Sequence, residues 1–231
     1  MDFETGFTPG DASLSFVFMR RAFECGEAAL FQWRDQSADQ IIEVVGEASR
    51  QRNPALRLDE KKMWEKRNDE YRVLEIENML RWHRHSYFLM AFSLCESSVT
   101  NFAARLLDKF NSPFRTRHLS GTGLERVKTI AKVFDIAPNP FDGDRWREVE
   151  RMRDVRNKLA HAGGLLEDES SISKMRQTLC NWEGASLVNY GSPVVKSIEL
   201  QDYFVRHAIS SLSEFTDEIA KAFFKNGEQT C

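Results

Sequence analysis

The chain has 231 residues, a length that fits one large domain, and 42% of them are hydrophobic, which supplies enough apolar surface for a folded core. Its formal net charge of -3 gives no overall positive field, so a histone-like or polybasic nucleic-acid binder is excluded. The longest nearly continuous apolar run, residues 87–95, is too short to cross a membrane, and the acidic N-terminal sequence lacks the features of a secretory signal. We therefore expect a cytoplasmic protein with no membrane partner.

Metal and cofactor sites have no support in the sequence. The glycines of Gly121-Thr122-Gly123 lack the spacing of a dinucleotide-binding loop, and no phosphate-binding P-loop motif occurs. His83 and His85 have no cysteine or carboxylate at ligand spacing and are expected at the surface. The four cysteines, which include no Cys-x-x-Cys pair, are Cys25, Cys95, Cys180 and Cys231. We expect no metal, no cofactor and no disulfide framework.

The spacing of hydrophobic residues predicts a mainly helical chain. One or two helices are expected over 12–50, with a stop at Asn53-Pro54 and a new segment from about Leu58. Residues 55–112 contain neither glycine nor proline, and a single helix of that length would span roughly 85 Å. We therefore expect the helix either to break or to project beyond the domain, and the polar cluster of residues 81–86 is the expected position of a break.

The clearest helical pattern in the sequence follows that cluster. Apolar residues recur at alternating steps of three and four, which places them in one narrow stripe on a helix. The stripe consists of Phe88, Phe92, Cys95, Val99, Phe102, Leu106 and Phe110. This pattern predicts a central core helix over 84–110.

Three further helices are predicted towards the C-terminus, over 124–134, 146–162 and 200–224. Asp142 or Asp144 is expected to cap the second of them, and Gly163-Gly164 to end it. Residues 172–200 predict at most a short irregular hairpin. The fold class is therefore all-α, a bundle of about six helices with long N-terminal helices.

One short segment carries residues suited to chemistry. Asn157 and His161 are four apart on a helix, so the amide can hydrogen-bond the imidazole and select its tautomer. Arg156 lies at the margin of the apolar side of the same helix and therefore needs a partner, expected to be a buried carboxylate. Glu96, inside an otherwise apolar surface of the core helix, is the best candidate, and the alternative is that each side chain reaches solvent separately.

Residues 156–164, Arg-Asn-Lys-Leu-Ala-His-Ala-Gly-Gly, resemble the Arg-Asn-x-x-x-His signature of HEPN (higher eukaryotes and prokaryotes nucleotide-binding) domains. Residues 86–107 resemble the family's glutamate-bearing helix, and 120–134 resemble the helix between them in large stand-alone bacterial members. The resemblance covers about 87–164 and rests on the conjunction of these features, because an arginine and a histidine at this spacing occur by chance in a chain of this composition.

The resemblance implies a single HEPN-like domain over 1–231, with an N-terminal helical extension over 1–82 and a HEPN core over 83–231. It further implies a homodimer in which two copies of the motif face one cleft. In catalytic members of the family the activity is that of a metal-independent endoribonuclease. The protein would then be a toxin or an antiphage defence effector, with RNA as its substrate.

The resemblance also gives each residue of the motif a role. His161 would accept the proton of an RNA 2′-hydroxyl or protonate the departing 5′-oxygen, leaving a 2′,3′-cyclic phosphate. Arg156 would stabilise the charge on the phosphoryl oxygens, and Asn157 would orient His161 or contact the phosphate. Glu96 would support Arg156.

The alternative reading is a HEPN module without catalysis. In that case Arg156, Asn157 and His161 form a structural hydrogen-bond network at the end of a helix, and the protein is a dimerisation or partner-binding subunit of a defence or toxin–antitoxin system. The resemblance admits a cognate antitoxin or defence-system partner in either case. The acidic composition favours this alternative, and the intact motif favours the nuclease.

Overall fold

The computed structural model describes the backbone of residues 9–51 and 58–226. It describes the side chains of the same residues except 35–51, 58–66, 68–73 and 225–226. Asn53-Pro54 and Cys231 lie outside the described residues. The described part contains six α-helices and one small sheet. The helices are α1 (Pro9–Gln51), α2 (Leu58–Lys109), α3 (Gly123–Val133), α4 (Asp144–Ala162), α5 (Glu169–Leu179) and α6 (Asp202–Asn226). The mainly helical class is confirmed.

The chain divides into two compact units, one of residues Met1–Arg20 with Ser86–Cys231 and one of residues Arg21–His85. The motif and Glu96 both belong to the first unit. The expected arrangement of an extension over 1–82 and a core over 83–231 stays a prediction. Within the described residues, no helix has an apolar stretch long enough to span a membrane.

The expected break at residues 81–86 is wrong, because α2 runs without interruption through this cluster. In the second unit Arg84 and Glu27 form a buried two-pronged ion pair with N–O distances of 2.9 and 3.1 Å, so the helix can bury this arginine without exposing an unpaired charge. The expectation of surface histidines is also wrong. His85 is buried, and the ring of His83 stacks on that of Phe23 with 5.3 Å between centroids.

The C-terminal half of α2 lies in the core of the first unit, as its stripe predicts. Six of its seven stripe residues are buried, from Phe88 to Leu106. The exception is Phe110, which is 39% exposed because α2 ends at Lys109. Within this stripe, burial raises the pKa of the Cys95 thiol to about 12, so Cys95 behaves as a small apolar core residue.

Helices α4 and α6 supply much of the rest of the core. The buried side of α4 is the predicted one and consists of Trp146, Val149, Met152, Val155 and Leu159. The predicted apolar residues of α6, from Phe204 to Phe223, are buried as well. The rings of Trp146 and Phe215 stack at 5.8 Å between centroids, which links the two helices directly.

The two ends of α4 differ in how well the sequence predicts them. Its N-cap is Gly143 rather than Asp142 or Asp144, and Asp144 is the first residue of the helix, where its negative charge suits the helix dipole. The C-terminal prediction is confirmed, since Gly163 has φ of 57° and ends the helix in a left-handed conformation that glycine adopts without strain.

Residues 172–200 contain more structure than the expected hairpin. The first part is helix α5, with Asp168 as its N-cap. Strands β2 (Ala185–Tyr190) and β3 (Ser192–Leu200) then form the antiparallel hairpin around Gly191. A two-residue strand, β1 (Leu165–Leu166), pairs with the other edge of β3 and follows directly after α4. The sheet order is β1-β3-β2.

Candidate functional site

The predicted motif lies on the last turns of α4. Arg156 and Asn157 are half-buried at the edge of the helix's apolar side, and His161 is exposed in the final turn. The glycine cap and the pairing of β1 with β3 fix the path of the chain after this turn. The C-terminal end of α4, which carries His161, is therefore fixed by the helix on one side and by β1 on the other.

Arg156 pairs with Glu96 on α2, at 3.5 Å between Nη2 and Oε2. Their side chains are 29% and 26% exposed, so Arg156 pairs with the expected residue, and the carboxylate is half-buried rather than buried. The guanidinium carbon also lies 5.8 Å from the ring centroid of Phe92. The ion pair and the aromatic face together fix the arginine against α2.

Asn157 contacts Arg156 rather than His161. The Arg156 Nη1 donates a hydrogen bond to the Asn157 Oδ1 at 3.0 Å. Among the described residues, no side chain makes a hydrogen bond or ion pair with the His161 ring. The predicted amide contact that would select the imidazole tautomer is therefore not formed, and the amide oxygen accepts a hydrogen bond from Arg156 instead.

Helix α3 begins beside Glu96 with a glycine in close contact. A Cβ added at Gly123 would lie 2.8 Å from the Glu96 Oε1 and 2.9 Å from its Cγ, closer than side chains normally approach. The absence of a side chain at Gly123 therefore allows Glu96 to take the position from which it reaches Arg156.

We expect Gly123→Ala to displace Glu96 and to lower the free energy of unfolding by about 1 to 3 kcal/mol, the usual cost of overpacking. Urea unfolding followed by circular dichroism measures this loss. Gly143→Ala is the steric control, because a Cβ there meets nothing within 4 Å, and it should lose only the smaller stabilisation of a glycine N-cap. Equal stability of the two variants would show that Glu96 has room to move.

Glu125 fixes the start of α3 and links it to α4. Its carboxylate accepts a hydrogen bond from the Thr122 backbone N–H at 3.0 Å, in a capping box, and one from the Arg153 Nη1 at 3.1 Å. The backbone hydrogen bond, together with the nearby Arg153 charge, holds the pKa of Glu125 below its ordinary value.

Because this pKa is lowered in the folded protein, the stabilisation by Glu125 should be complete above its ordinary value and should disappear as the pH falls through the folded-state pKa. We expect Glu125→Gln to cost a few tenths to about 1 kcal/mol at neutral pH, a small effect because Glu125 is exposed. The difference should shrink in melts of both proteins as the pH falls below the ordinary pKa of a glutamate carboxyl. Glu183→Gln, also exposed, is the control, and a difference that persists in acid would contradict the capping role.

A second group of interacting polar side chains was not predicted from the sequence. Glu148 on α4 accepts hydrogen bonds from His207 Nε2 at 2.7 Å and from Ser211 at 2.6 Å, both on α6. Burial alone would raise the pKa of Glu148, but these hydrogen bonds and the His207 charge outweigh it and the pKa is lowered. The four-residue spacing of His207 and Ser211 was the only local signal, because their carboxylate partner is some sixty residues away.

The described residues contain no group of three or more histidine, cysteine or carboxylate side chains that could hold a metal ion. Comparisons with protein-family models, with curated proteins and with solved structures found no match to this chain.

Proposed function

We propose that the protein is a HEPN-like, metal-independent endoribonuclease that works as a homodimer. The observation that supports this most is the order of contacts from Glu96 through Arg156 to Asn157, one helical turn before the exposed His161. An arginine fixed by its neighbours and an accessible imidazole five residues later on the same helix are groups suited to cleavage of RNA by its own 2′-hydroxyl.

The chemistry divides between two kinds of group. His161 accepts the proton of the 2′-hydroxyl as this oxygen attacks the adjacent phosphorus, and the departing 5′-oxygen takes a proton from a second histidine. Arg156 donates hydrogen bonds to the phosphoryl oxygens, where negative charge increases in the transition state. The RNA is left with a 2′,3′-cyclic phosphate on one product and a 5′-hydroxyl on the other.

Asn157 has a different part in this proposal from the one that its spacing predicts. Since it accepts a hydrogen bond from Arg156, it positions the guanidinium and leaves the His161 ring free to meet substrate or a second protomer. Glu96 holds the other terminal nitrogen of Arg156, so both residues are positioning groups for the arginine.

A non-catalytic HEPN module, acting as a dimerisation or partner-binding subunit, is the second candidate. The observation in its favour is that Arg156 is already engaged by Glu96, Asn157 and the Phe92 ring, as a structural residue would be. An exposed histidine without a partner in the described part of the chain also needs no catalytic explanation.

Product analysis separates the two candidates. The purified full chain is incubated with total RNA in EDTA, and the new ends are identified by mass spectrometry. The nuclease predicts cyclic phosphates and 5′-hydroxyls, together with complete resistance of an RNA whose 2′-hydroxyl at the cut site is replaced by hydrogen. If the RNA stays intact at high enzyme concentration, the result contradicts the nuclease and favours the non-catalytic module.

The catalytic form is expected to be a dimer at micromolar concentration, because one His161 cannot easily serve as both base and acid in a single turnover. Sedimentation equilibrium measures the mass directly, and crosslinking of a cysteine placed at Glu167, close after α4 in the sequence, tests whether this region lies at the interface. A monomer that cleaves RNA at full rate would contradict the shared-site arrangement.

A further inference from the structure

A cleft lies on the N-terminal half of α4, several residues before the motif in the sequence. It has a volume of about 790 Å³ and lies between α4, α6 and the segment after α5. This is within the range of pockets that hold small-molecule ligands. Its lining includes Glu148 and His207, the hydrogen-bonded pair described above, together with three arginines of α4, Arg145, Arg147 and Arg151.

Most of the charges in this cleft are already matched. Arg145 pairs with Glu214 and Glu218, and Glu148 pairs with His207. Arg145 with its two carboxylates and Glu148 with His207 together carry more negative than positive charge, so only the other two arginines attract an anion.

Arg151 is the exception. Its Nε and Nη2 both donate to the Thr178 carbonyl oxygen, at 3.1 and 2.6 Å, and its guanidinium carbon lies 4.2 Å from the Trp182 ring centroid. No carboxylate of the described residues pairs with it. A half-buried guanidinium that is held in place but has no counter-ion leaves its Nη1 donors for an anion.

Two other donors line the same cleft. Arg147 pairs with Asp144, but both side chains are largely exposed, and such a surface pair is weak enough for a ligand to displace. His207 lines the cleft and is exposed, and its Nε2 donates to Glu148, so a ring protonated on both nitrogens also has an Nδ1–H to donate to an anion. The carboxylate keeps the imidazole ring in a fixed orientation.

We propose that this cleft binds the phosphate group of a small phosphorylated molecule, with Arg151 as the main anchor and Arg147 and His207 as the other donors. A phosphate monoester carries close to two negative charges and three acceptor oxygens, which suits this set of donors. We do not expect a nucleobase to be recognised by stacking on Trp182. Arg151 covers one side of Trp182, and Phe204 lies against the same ring at 5.2 Å between centroids.

Calorimetric titration of the full chain with ribose 5-phosphate, inorganic phosphate, ribose and succinate tests the proposal. We expect ribose 5-phosphate and phosphate to bind with Kd of about 1 mM or tighter, and ribose not to bind. Arg151→Gln should weaken binding at least about tenfold, the loss expected for one charge-assisted pair. Arg176→Gln, an exposed arginine on α5 that does not line the cleft, is the matched control.

Because Arg151 also packs on Trp182, its variant could lose structure, so His207→Gln is measured in parallel. His207 is exposed, and its replacement should leave the fold intact while weakening binding at least about threefold. Absence of phosphate binding up to about 10 mM would overturn the proposal. So would equal binding by folded His207→Gln and Arg176→Gln proteins, or succinate binding as tightly as ribose 5-phosphate.

Discussion

Replacing Arg156 with alanine is expected to lower RNA cleavage by about 10² to 10³, the usual loss when one charge-stabilising donor is removed from a transition state. The fold should lose much less. Since the Arg156 and Glu96 side chains are each more than a quarter exposed, we expect about 1 kcal/mol rather than the larger cost of separating a fully buried pair. Single-turnover cleavage and thermal melting measure the two effects.

Arg156→Lys is the sharper variant. Lysine keeps the positive charge, but it cannot donate to Asn157 and Glu96 at once from a planar group as the guanidinium does. We expect this protein to melt close to the wild type and to cleave poorly. Arg176→Lys, on an exposed face of α5, controls for the loss of an arginine elsewhere. Wild-type cleavage by Arg156→Lys would remove this residue from the active site.

Shortening the buried side chains of α2 should lower the stability of the protein. Phe92 and Phe102 are each 1% exposed, so replacing either with alanine should cost about 3 to 5 kcal/mol through lost burial and the cavity that remains. Chemical unfolding measures the cost. Phe92→Ala should also affect cleavage, because this ring lies against the Arg156 guanidinium, whereas Phe102→Ala provides a stability match without that contact.

Phe110 is the control within the same stripe. It is 39% exposed, although its ring lies 5.0 Å from that of Phe134, so Phe110→Ala should cost only about 1 kcal/mol. Similar losses at Phe110 and Phe92 would contradict the assignment of the core. Losses below about 1 kcal/mol at both buried positions would show that the stripe does not face the core.

The apolar periodicity of the sequence was enough to place most of the core, because burial of a helix face depends on residue spacing that is local in the chain. The stripe of α2 and the buried sides of α4 and α6 were all predicted in this way. Where the prediction failed, a distant partner decided the outcome. The polar cluster at residues 81–86 stays helical, and within it Arg84 is matched by Glu27, which no local pattern indicates.

The same distinction applies to the candidate site. The pair of Arg156 and Glu96 was one of two outcomes considered from the sequence, because each residue is a polar group on an apolar helix surface and either finds a partner or reaches solvent. The four-residue spacing of Asn157 and His161 was misleading, since spacing shows which side chains can meet but not which contacts form in the fold. Glu148 and His207 were not connected by any sequence pattern, because they lie on helices that only the fold brings together.

We propose that His161 transfers a proton in RNA cleavage without a metal. This proposal is tested most directly by the initial rate of RNA cleavage in EDTA for the wild type, His161→Ala and His118→Ala, where His118 is an exposed histidine outside the motif. We predict that the wild type and His118→Ala cleave at equal rates and that His161→Ala is slower by about 10² to 10⁴, the contribution typical of a general acid or base. A His161→Ala protein that cleaves at the wild-type rate, or a wild type that is inactive on RNA, would contradict the claim.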